Sequence, residues 1–321
     1  MKFRTELIPE PASFDLNHSH KVVLLGSCFT QHIGKRLMEA KFTAFQNPFG
    51  IVYHPWAMAR QLKLALGELP AVPPIQHQGL WHNFDSHTSF STPDKETFQH
   101  QWNAALEQFS SFLQQTDVLI LTFGTAKGFF RKDNGEVVAN CHRYPAGFFE
   151  PRLSSLANLL EVYQPLLEHL KIFRPDLRVI LTVSPVRHLK DTLTLNSVSK
   201  ATLRLFCHEL SLQYGDWISY FPAFEALMDD LRDYRYYTDD LLHPSNFAQT
   251  YIWQKFSQTY FATTTTGILE EWAKVRAGLN HRPRNPESAA HQTFLLKLKE
   301  KIHAFQDHFD VNEELNMLDC D

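Results

Sequence analysis

Two separate stretches of the chain carry residues that could together cleave an ester. Ser27 follows an apolar run, residues 22–25, and Gly26, and an amphipathic helical pattern begins directly after it. A serine at the start of a helix lies beside unpaired backbone N–H groups and the positive end of the helix dipole. That position suits a nucleophile whose reaction creates an oxyanion. Serine is also a favoured N-cap, so Ser27 could instead only cap the helix.

The base that such a serine requires is supplied by a short segment near residue 240. A serine hydroxyl is a weak nucleophile without an adjacent base, and the base needs a group that orients it. Asp240 and His243 stand in a D-x-x-H arrangement, and Pro244 follows the histidine. This spacing can place the carboxylate against the imidazole, although a surface ion pair is the alternative. Asp239 is a rival orienting group, but it lies four residues from His243.

The cysteines offer one rival nucleophile. Cys28 is next to Ser27, but no cationic neighbour in the sequence would stabilise its thiolate. The alternative role for Cys28 is that of a small buried thiol. The chain has four cysteines without C-x-x-C spacing, which predicts reduced thiols and a cytoplasmic protein. They are Cys28, Cys141, Cys207 and Cys320.

A long irregular segment, residues 69–93, is rich in histidine and aromatic residues. A loop of this length inside a domain is often functional. His77, His82 and His87 recur every five residues, which places them on no common helical face. The spacing therefore favours a loop that lines a pocket over a zinc site, and we predict no metal.

Four further side chains could contact a substrate or have structural roles. Trp81 and Tyr144 either stack against a sugar ring or belong to the core. Arg187 and His188 follow the fourth predicted strand, where they either hold a polar substrate or take part in an ion pair.

The composition excludes several classes of partner. The 321 residues carry a formal net charge of −4 without a basic run, so we expect no nucleic-acid partner. No apolar run reaches the roughly 18 residues that span a bilayer, so we expect no membrane segment. The N-terminal stretch carries Glu6 and Glu10 and has no continuous apolar core, so it does not resemble a signal peptide.

Five apolar segments alternate with helical patterns along the chain. They predict a parallel sheet with helices on both faces. The predicted strands cover residues 22–25, 42–46, 117–123, 177–183 and 217–221. The predicted helices cover residues 57–66, 97–115, 153–173, 197–214, 247–261 and 288–309, besides the one that follows Ser27. Residues 133–135, Asp-Asn-Gly, predict a hairpin turn that interrupts this alternation.

The carboxyl ends of parallel strands meet at one edge of a sheet, and open α/β sheets bind ligands there. Ser27, Gly50, Gly124 and Ser184 each follow a predicted strand. We therefore expect them along the same edge.

Seven blocks of sequence resemble, in order, those of the GSCFA family, which looks like a branch of the SGNH, or GDSL-like, hydrolases. The resemblance runs from about residue 5 to 260. The blocks are GSCF at 26–29, NPFG at 47–50, residues 81–87, GTA at 124–126, NCH at 140–142, SPVRH at 184–188 and DLLHP at 240–244.

The resemblance implies a three-layer α/β/α fold with a flavodoxin-like five-stranded parallel sheet and a serine esterase site. Carried over by position, Ser27 is the nucleophile, His243 the general base and Asp240 its orienting carboxylate. The backbone N–H groups of Ser27 and Gly50 would donate hydrogen bonds to the oxyanion. No cofactor is implied.

One position departs from the SGNH pattern. These enzymes place an oxyanion-binding asparagine two residues after the glycine of the block that corresponds to GTA, and here that position is Ala126. Thr125 could donate instead, Asn140 or Asn83 could reach in, or the site could have two donors. Loss of one such donor costs about a hundredfold in rate or more.

These observations predict a hydrolase domain over residues 1–262 and a helical C-terminal extension over residues 263–321. The extension either packs on the domain or forms a homodimer.

We predict a serine esterase for small acyl esters such as O-acetyl groups on carbohydrate. An acyltransferase that uses the same serine, and a carbohydrate-binding protein without activity, are the alternatives. The predicted substrate-binding residues are Trp81, His82, His142 and Arg187.

Overall fold

A five-stranded parallel sheet lies at the centre of the chain, and the computed structural model describes residues 4–70 and 72–319. Cys320 lies outside the described residues. In chain order the elements are β1 (Lys21–Gly26), α1 (Cys28–Glu39), β2 (Thr43–Gln46), α2 (Pro55–Ala65), β3 (Ile75–His77), β4 (Leu80–His82), α3 (Lys95–Leu113), β5 (Val118–Phe123), β6 (Lys127–Arg131), β7 (Val137–Val138), β8 (Phe149–Leu153), α4 (Leu156–Phe173), β9 (Arg178–Val183), α5 (Thr192–Tyr214), β10 (Ile218–Phe221), α6 (Ala223–Glu225), α7 (Asn246–Tyr260), α8 (Thr263–Leu279), α9 (Ala289–His303) and α10 (Asn312–Asp319).

The sheet has the strand order β2-β1-β5-β9-β10, and every neighbouring pair is parallel. If these five strands alone are numbered 1 to 5 in chain order, this is the 2-1-3-4-5 order of flavodoxin-like folds. The predicted fold class is therefore confirmed.

Helices cover both faces of the sheet because successive strand residues point to opposite sides. Val23 and Leu25 of β1 pack into a core shared with α2, α3, α4 and α5. Val22 and Leu24 pack into a second core, shared with α1 and α7. The resulting three layers place the start of α1 at the carboxyl edge of the sheet.

Two antiparallel attachments lie outside the central sheet. β6, β7 and β8 form a three-stranded sheet in the order β7-β6-β8, and Asp133-Asn134-Gly135 turns between β6 and β7 as predicted. β8 was not expected, because its sequence FEPRL contains a proline and is largely exposed. β3 and β4 form a hairpin inside the segment that was expected to be irregular.

The C-terminal extension is a three-helix unit with its own small core. Trp272 on α8, Leu298 and Ile302 on α9, and Leu315 on α10 are buried together. Two further helices flank the predicted one, which ends at His303 rather than at residue 309. The unit packs on its own chain, and the predicted homodimer stays a prediction. Within the described residues no helix is long and apolar enough to cross a membrane.

Candidate active site

Ser27 lies at the junction of β1 and α1, at the carboxyl edge of the sheet. Its hydroxyl caps α1 by accepting the N–H of Phe29 at 3.3 Å, and the residue is 1% exposed. Gly26 makes the sharp turn possible, since it has a φ of +151° and a Cβ there would lie 2.4 Å from the carbonyl oxygen of Thr122. The capping role of Ser27 is thus present, and it is compatible with a nucleophilic one.

The loop after β2 packs directly against this junction. The Asn47 side chain accepts the N–H of Gly26 at 2.8 Å, and the N–H of Val52 donates to the Gly26 carbonyl at 3.1 Å. Gly50 has a φ of +83° and closes a turn by donating its N–H to the Asn47 carbonyl at 2.8 Å. The N–H that the resemblance assigns to the oxyanion is therefore already engaged within this turn.

The GTA block, residues 124–126, follows β5 beside the same loop. The N–H groups of Gly124 and Thr125 both donate to the carbonyl of Tyr53, at 2.8 and 3.2 Å. The Thr125 hydroxyl is 3.1 Å from the hydroxyl of Ser199, which also accepts the N–H of Ala126 at 2.7 Å. Ala126 is fully buried. The Thr125 hydroxyl thus bonds to α5 rather than to the Ser27 turn.

The two asparagines considered as replacement donors accept hydrogen bonds through Oδ1 away from Ser27, and the Nδ2 donor of Asn83 is buried without a partner among the described residues. Asn140 Oδ1 accepts the hydroxyl of Thr88 at 2.8 Å and the N–H of His142 at 2.9 Å. Asn83 is fully buried, and its Oδ1 accepts the N–H of Asp85 at 3.2 Å. Neither side chain is hydrogen-bonded to the Ser27 turn among the described residues.

His243 and Asp240 form the hydrogen-bonded pair that their spacing predicts. His243 Nδ1 and Asp240 Oδ2 are 2.6 Å apart. With its proton on Nδ1, the imidazole presents Nε2 as the proton acceptor. The N–H groups of His243 and Leu242, and then the Thr238 hydroxyl, hold the pKa of Asp240 well below its usual range. Asp240 is therefore ionised and oriented, as a catalytic carboxylate must be.

The segment that carries this pair is closed like a hairpin. The N–H of Thr238 donates to the His243 carbonyl, and the N–H of Ser245 donates to the Tyr236 carbonyl, both at 2.8 Å. Leu241 has a φ of +60° between them. We call residues 236–245 the dyad hairpin.

The dyad hairpin lies over the first turns of α1. Burial lowers the pKa of His32 on α1, and the nearby charge of His243 lowers it further. Burial raises the pKa of the Cys28 thiol, and the Asp240 carboxylate adds to that rise. In the structure, the Ser27 hydroxyl has no hydrogen bond to His243 among the described residues. For these two side chains to exchange a proton, the imidazole would have to shift toward Ser27.

Lys200 is a buried cation at this edge that sequence reasoning missed. Its ammonium donates to the carbonyls of Gly124 at 2.7 Å and Ser184 at 2.6 Å, at the ends of β5 and β9. Burial lowers the pKa of Lys200 to about 7, and the ammonium lies near enough to act on the Cys28 thiol. The one available signal was a lysine on the apolar face of α5, next to Leu203.

Three of the four predicted substrate-binding residues lie in a packed cluster on the other side of the Asn47–Gly50 turn. His82 and His142 are buried and stacked, with ring centroids 4.1 Å apart. His142 Nε2 is 3.0 Å from the Ser86 carbonyl, and burial lowers the pKa of His142 to about 3. Trp81 lies under the ammonium of Lys95, 5.2 Å from the ring centroid.

The other residues of this cluster also have structural contacts. His77 stacks on Tyr144 with ring centroids 3.8 Å apart, so Tyr144 has a partner within the fold. The N–H of His87 donates to the Phe49 carbonyl at 2.8 Å and so ties the cluster to the turn. Over residues 4–70 and 72–319 no group of histidine, cysteine, aspartate or glutamate is arranged to hold a metal ion.

Arg187, the fourth predicted substrate-binding residue, lies beside the dyad hairpin instead. It donates to the hydroxyls of Tyr237 at 2.7 Å and Tyr234 at 3.3 Å. The ring of His188 lies edge-on to Tyr53, with centroids 5.5 Å apart. The structure thus brings together Ser27, Gly124, Lys200 and the dyad hairpin, with Arg187 at its flank.

The strand order and the serine at the carboxyl edge define a flavodoxin-like α/β protein. The GSCFA family model matches residues 21–256, and the model of the GSCFA domain protein, C-terminal domain, matches residues 272–320. The chain therefore belongs to the GSCFA family, as its blocks predict. No curated protein matches it. Among solved structures it is similar to one described as a crystal structure of a carbohydrate esterase family 3 from Talaromyces cellulolyticus, with a TM-score of 0.34 and 10% identity over 78% of this chain and 99% of that chain.

Proposed function

We propose that this chain is a serine esterase of SGNH type, with Ser27 as nucleophile, His243 as general base and Asp240 as orienting carboxylate. The observation that carries the proposal is the 2.6 Å contact between His243 and Asp240 over the helix that Ser27 caps. A histidine that is held by a carboxylate and presents its second nitrogen can take the proton of a serine hydroxyl.

The reaction proceeds through an acyl-enzyme. His243 Nε2 takes the hydroxyl proton while Ser27 Oγ attacks the acyl carbon. The tetrahedral intermediate collapses, and the alcohol leaves with that proton. His243 then deprotonates a water molecule that attacks the acyl-enzyme, which releases the acid and restores Ser27.

The oxyanion is stabilised chiefly by the N-terminal turn of α1. The first N–H groups of a helix have no carbonyl partner within the helix, and its dipole places positive potential there. The ammonium of Lys200, bonded to the carbonyls of Gly124 and Ser184, adds a positive charge below the same edge at pH values below its pKa of about 7. Gly50 can contribute only if its N–H leaves the Asn47 carbonyl.

The burial of Ser27 supports a small acyl group. With 1% exposure, the serine leaves little room around its hydroxyl, which favours an acetyl-sized substituent. An O-acetyl group on a carbohydrate is the substrate we propose. The same burial favours acyl transfer as a second candidate, because a site that excludes water prolongs the acyl-enzyme until an alcohol arrives.

The test is release of 4-nitrophenol from 4-nitrophenyl acetate by wild type and by single-site variants. Ser27→Ala and His243→Ala should reduce the rate to background. Cys28→Ala and Asp239→Asn are matched controls beside the two sites and should retain most activity. If Ser27→Ala turns over like wild type, the nucleophile is wrong. If folded wild type is inert, the esterase proposal fails, and a carbohydrate-binding protein without activity becomes the favoured alternative.

Hydrolysis and transfer can be separated in the same assay. Added alcohols that raise the rate of 4-nitrophenol release and yield new esters would identify a transferase. Products limited to acetate would support hydrolysis.

A further inference from the structure

A cavity of about 380 Å³ lies against the dyad hairpin and has no part in the mechanism above. Arg187, Phe224, Met228, Arg232, Tyr234 and Tyr237 contribute to its lining. Tyr237 faces Pro244 across the hairpin as an isolated antiparallel bridge. One wall of the cavity therefore belongs to the same hairpin that positions Asp240 and His243.

Arg187 presents a charge in this cavity that no carboxylate neutralises among the described residues. Its guanidinium bonds only to the neutral hydroxyls of Tyr234 and Tyr237. The guanidinium carbon also lies 4.6 Å from the centroid of the Tyr237 ring and 5.3 Å from that of Tyr234. These two rings hold the side chain in one orientation without compensating its charge.

The Nε–H of Arg187 is buried and has no hydrogen-bond partner among the described residues. A buried donor without a partner is unfavourable, and guanidinium groups bind carboxylate and phosphate oxygens through pairs of parallel N–H donors. An unpaired Nε–H on a cavity-lining arginine is therefore a donor that an anionic ligand can satisfy once the guanidinium turns toward the cavity.

The acidic residues at the cavity do not cancel this charge. Asp233 is paired with Arg235 at 3.0 Å, with the guanidinium of Arg235 largely exposed. Asp229 and Arg232 both line the cavity and have opposite charges. Among the described residues no ion pair joins Arg187 to Asp229 or to Asp233.

We propose that this cavity binds an anionic oxygen group, a carboxylate or a phosphate, carried by the ester substrate. The role of this anion site in catalysis rests on the esterase function proposed above. Arg187 is then a specificity-determining residue, since it selects charged esters over neutral ones of the same size. The alternative is that Arg187 has only a structural role and anchors the dyad hairpin through its hydrogen bonds to Tyr234 and Tyr237.

Anion binding can be measured without catalysis. We would compare thermal unfolding in sodium phosphate, sodium acetate and sodium chloride at equal ionic strength, for wild type, Arg187→Met and Lys190→Met. Lys190 is an exposed cation three residues along the chain and serves as the matched control. We expect phosphate or acetate to raise the Tm of wild type and Lys190→Met by about 2 °C or more over chloride. Arg187→Met should lose that rise.

The anion that raises the Tm identifies the source, phosphate or carboxylate. If neither anion raises the Tm of wild type, or if Arg187→Met keeps the full rise, the proposal is overturned. This result does not depend on whether Ser27 is a nucleophile, so failure of the esterase proposal leaves the anion site testable.

Selectivity is measured by acetate release from a matched pair of acetyl esters that differ only in the alcohol, 4-acetoxybenzoate and methyl 4-acetoxybenzoate, together with 4-acetoxyphenyl phosphate if phosphate is the anion that binds. Wild type should prefer the charged ester by about tenfold or more in kcat/KM. Arg187→Met should remove this preference, mainly through KM, while the rate on the neutral ester falls less than threefold. An equal fall on both esters would show that Arg187 only anchors the hairpin, and it would overturn the proposal.

Discussion

The bond between Asp240 and His243 makes a direct prediction at the scale of single residues. Asp240→Asn keeps the size of the side chain, but its amide would favour the wrong imidazole tautomer, so kcat should fall by about 10³- to 10⁴-fold. Asp239→Asn changes the adjacent charge without touching His243 and should stay within about threefold of wild type. Steady-state kinetics of the two variants on 4-nitrophenyl acetate decide between the rival carboxylates.

Asp240 also has a consequence for the pH profile of this reaction. Its pKa is held well below the usual range, so the carboxylate remains charged as the pH falls through the range where an ordinary aspartate is protonated. Protonation of Asp240 should therefore not limit activity on the acid side, which the pH profile of kcat/KM on 4-nitrophenyl acetate measures.

Lys200 predicts a pH dependence of stability. Burial lowers its pKa from 10.5 to about 7 in the folded protein. Between these values the unfolded chain binds a proton that the folded chain has released, so the free energy of unfolding rises with pH. We expect wild type to gain on the order of 3 kcal/mol relative to Lys200→Met from pH 7 to pH 10.

Urea unfolding at several pH values measures this difference. Lys35→Met, which removes a largely exposed lysine, should give a curve parallel to that of wild type. A Lys200→Met curve that is also parallel to wild type would mean that Lys200 keeps its proton throughout.

At the scale of single residues, the sequence predicted those contacts that join residues close together in the chain. Asp240 and His243 are three residues apart, so their spacing alone predicted the contact, and the position of Ser27 as a helix cap followed from its place after a strand. The engagement of the Gly50 N–H and the position of Lys200 depend on contacts between distant segments. No spacing rule could have predicted either of them.

At the scale of elements, the junction of β1 and α1 is the most constrained part of the site. A methyl group on Gly26 would lie 2.4 Å from the Thr122 carbonyl oxygen, and the φ of +151° is unfavourable for other residues. Gly26→Ala should therefore lower the free energy of unfolding by roughly 3 kcal/mol or more.

Gly147→Ala is the matched control, because a Cβ there meets nothing within 4 Å. Its stability should stay within about 0.5 kcal/mol of wild type. Equal stability of the two alanine variants in denaturant unfolding would show that the turn at Gly26 relaxes freely.

The elements that were predicted correctly are those with a strong apolar pattern. Three of the five central strands, β1, β5 and β9, are almost entirely buried, and the observed limits of all five differ from the predicted ones by at most one residue. α5 begins at Thr192, five residues before the predicted start, because its first turns are exposed and carry little apolar periodicity. α8 and α10 were missed because α8 begins with four threonines and α10 is eight residues long.

At the scale of the whole molecule, the C-terminal unit depends on one buried tryptophan. Trp272 is 1% exposed, and its indole N–H donates to the Glu39 carbonyl at 3.2 Å. Trp272→Ala should cost about 3–5 kcal/mol of local stability and loosen the unit from the domain. Leu296→Ala, at a side chain that is 66% exposed on α9, is the control.

Limited proteolysis measures this loosening. Cleavage in the connection between α8 and α9 should become faster in Trp272→Ala and stay unchanged in Leu296→Ala. Equal cleavage rates would mean that other contacts, such as the ion pair of Lys41 with Glu314 at 2.6 Å, suffice to hold the unit.

The docking of the C-terminal unit has a mechanical consequence for the site. The unit grips α1 at Glu39, while Ser27 caps the opposite end, twelve helical residues or about 18 Å away. A rigid rod that is clamped at its far end cannot roll about its own axis. We expect the extension to restrain rotation of α1 about its axis and so to limit reorientation of the serine hydroxyl at the opposite end.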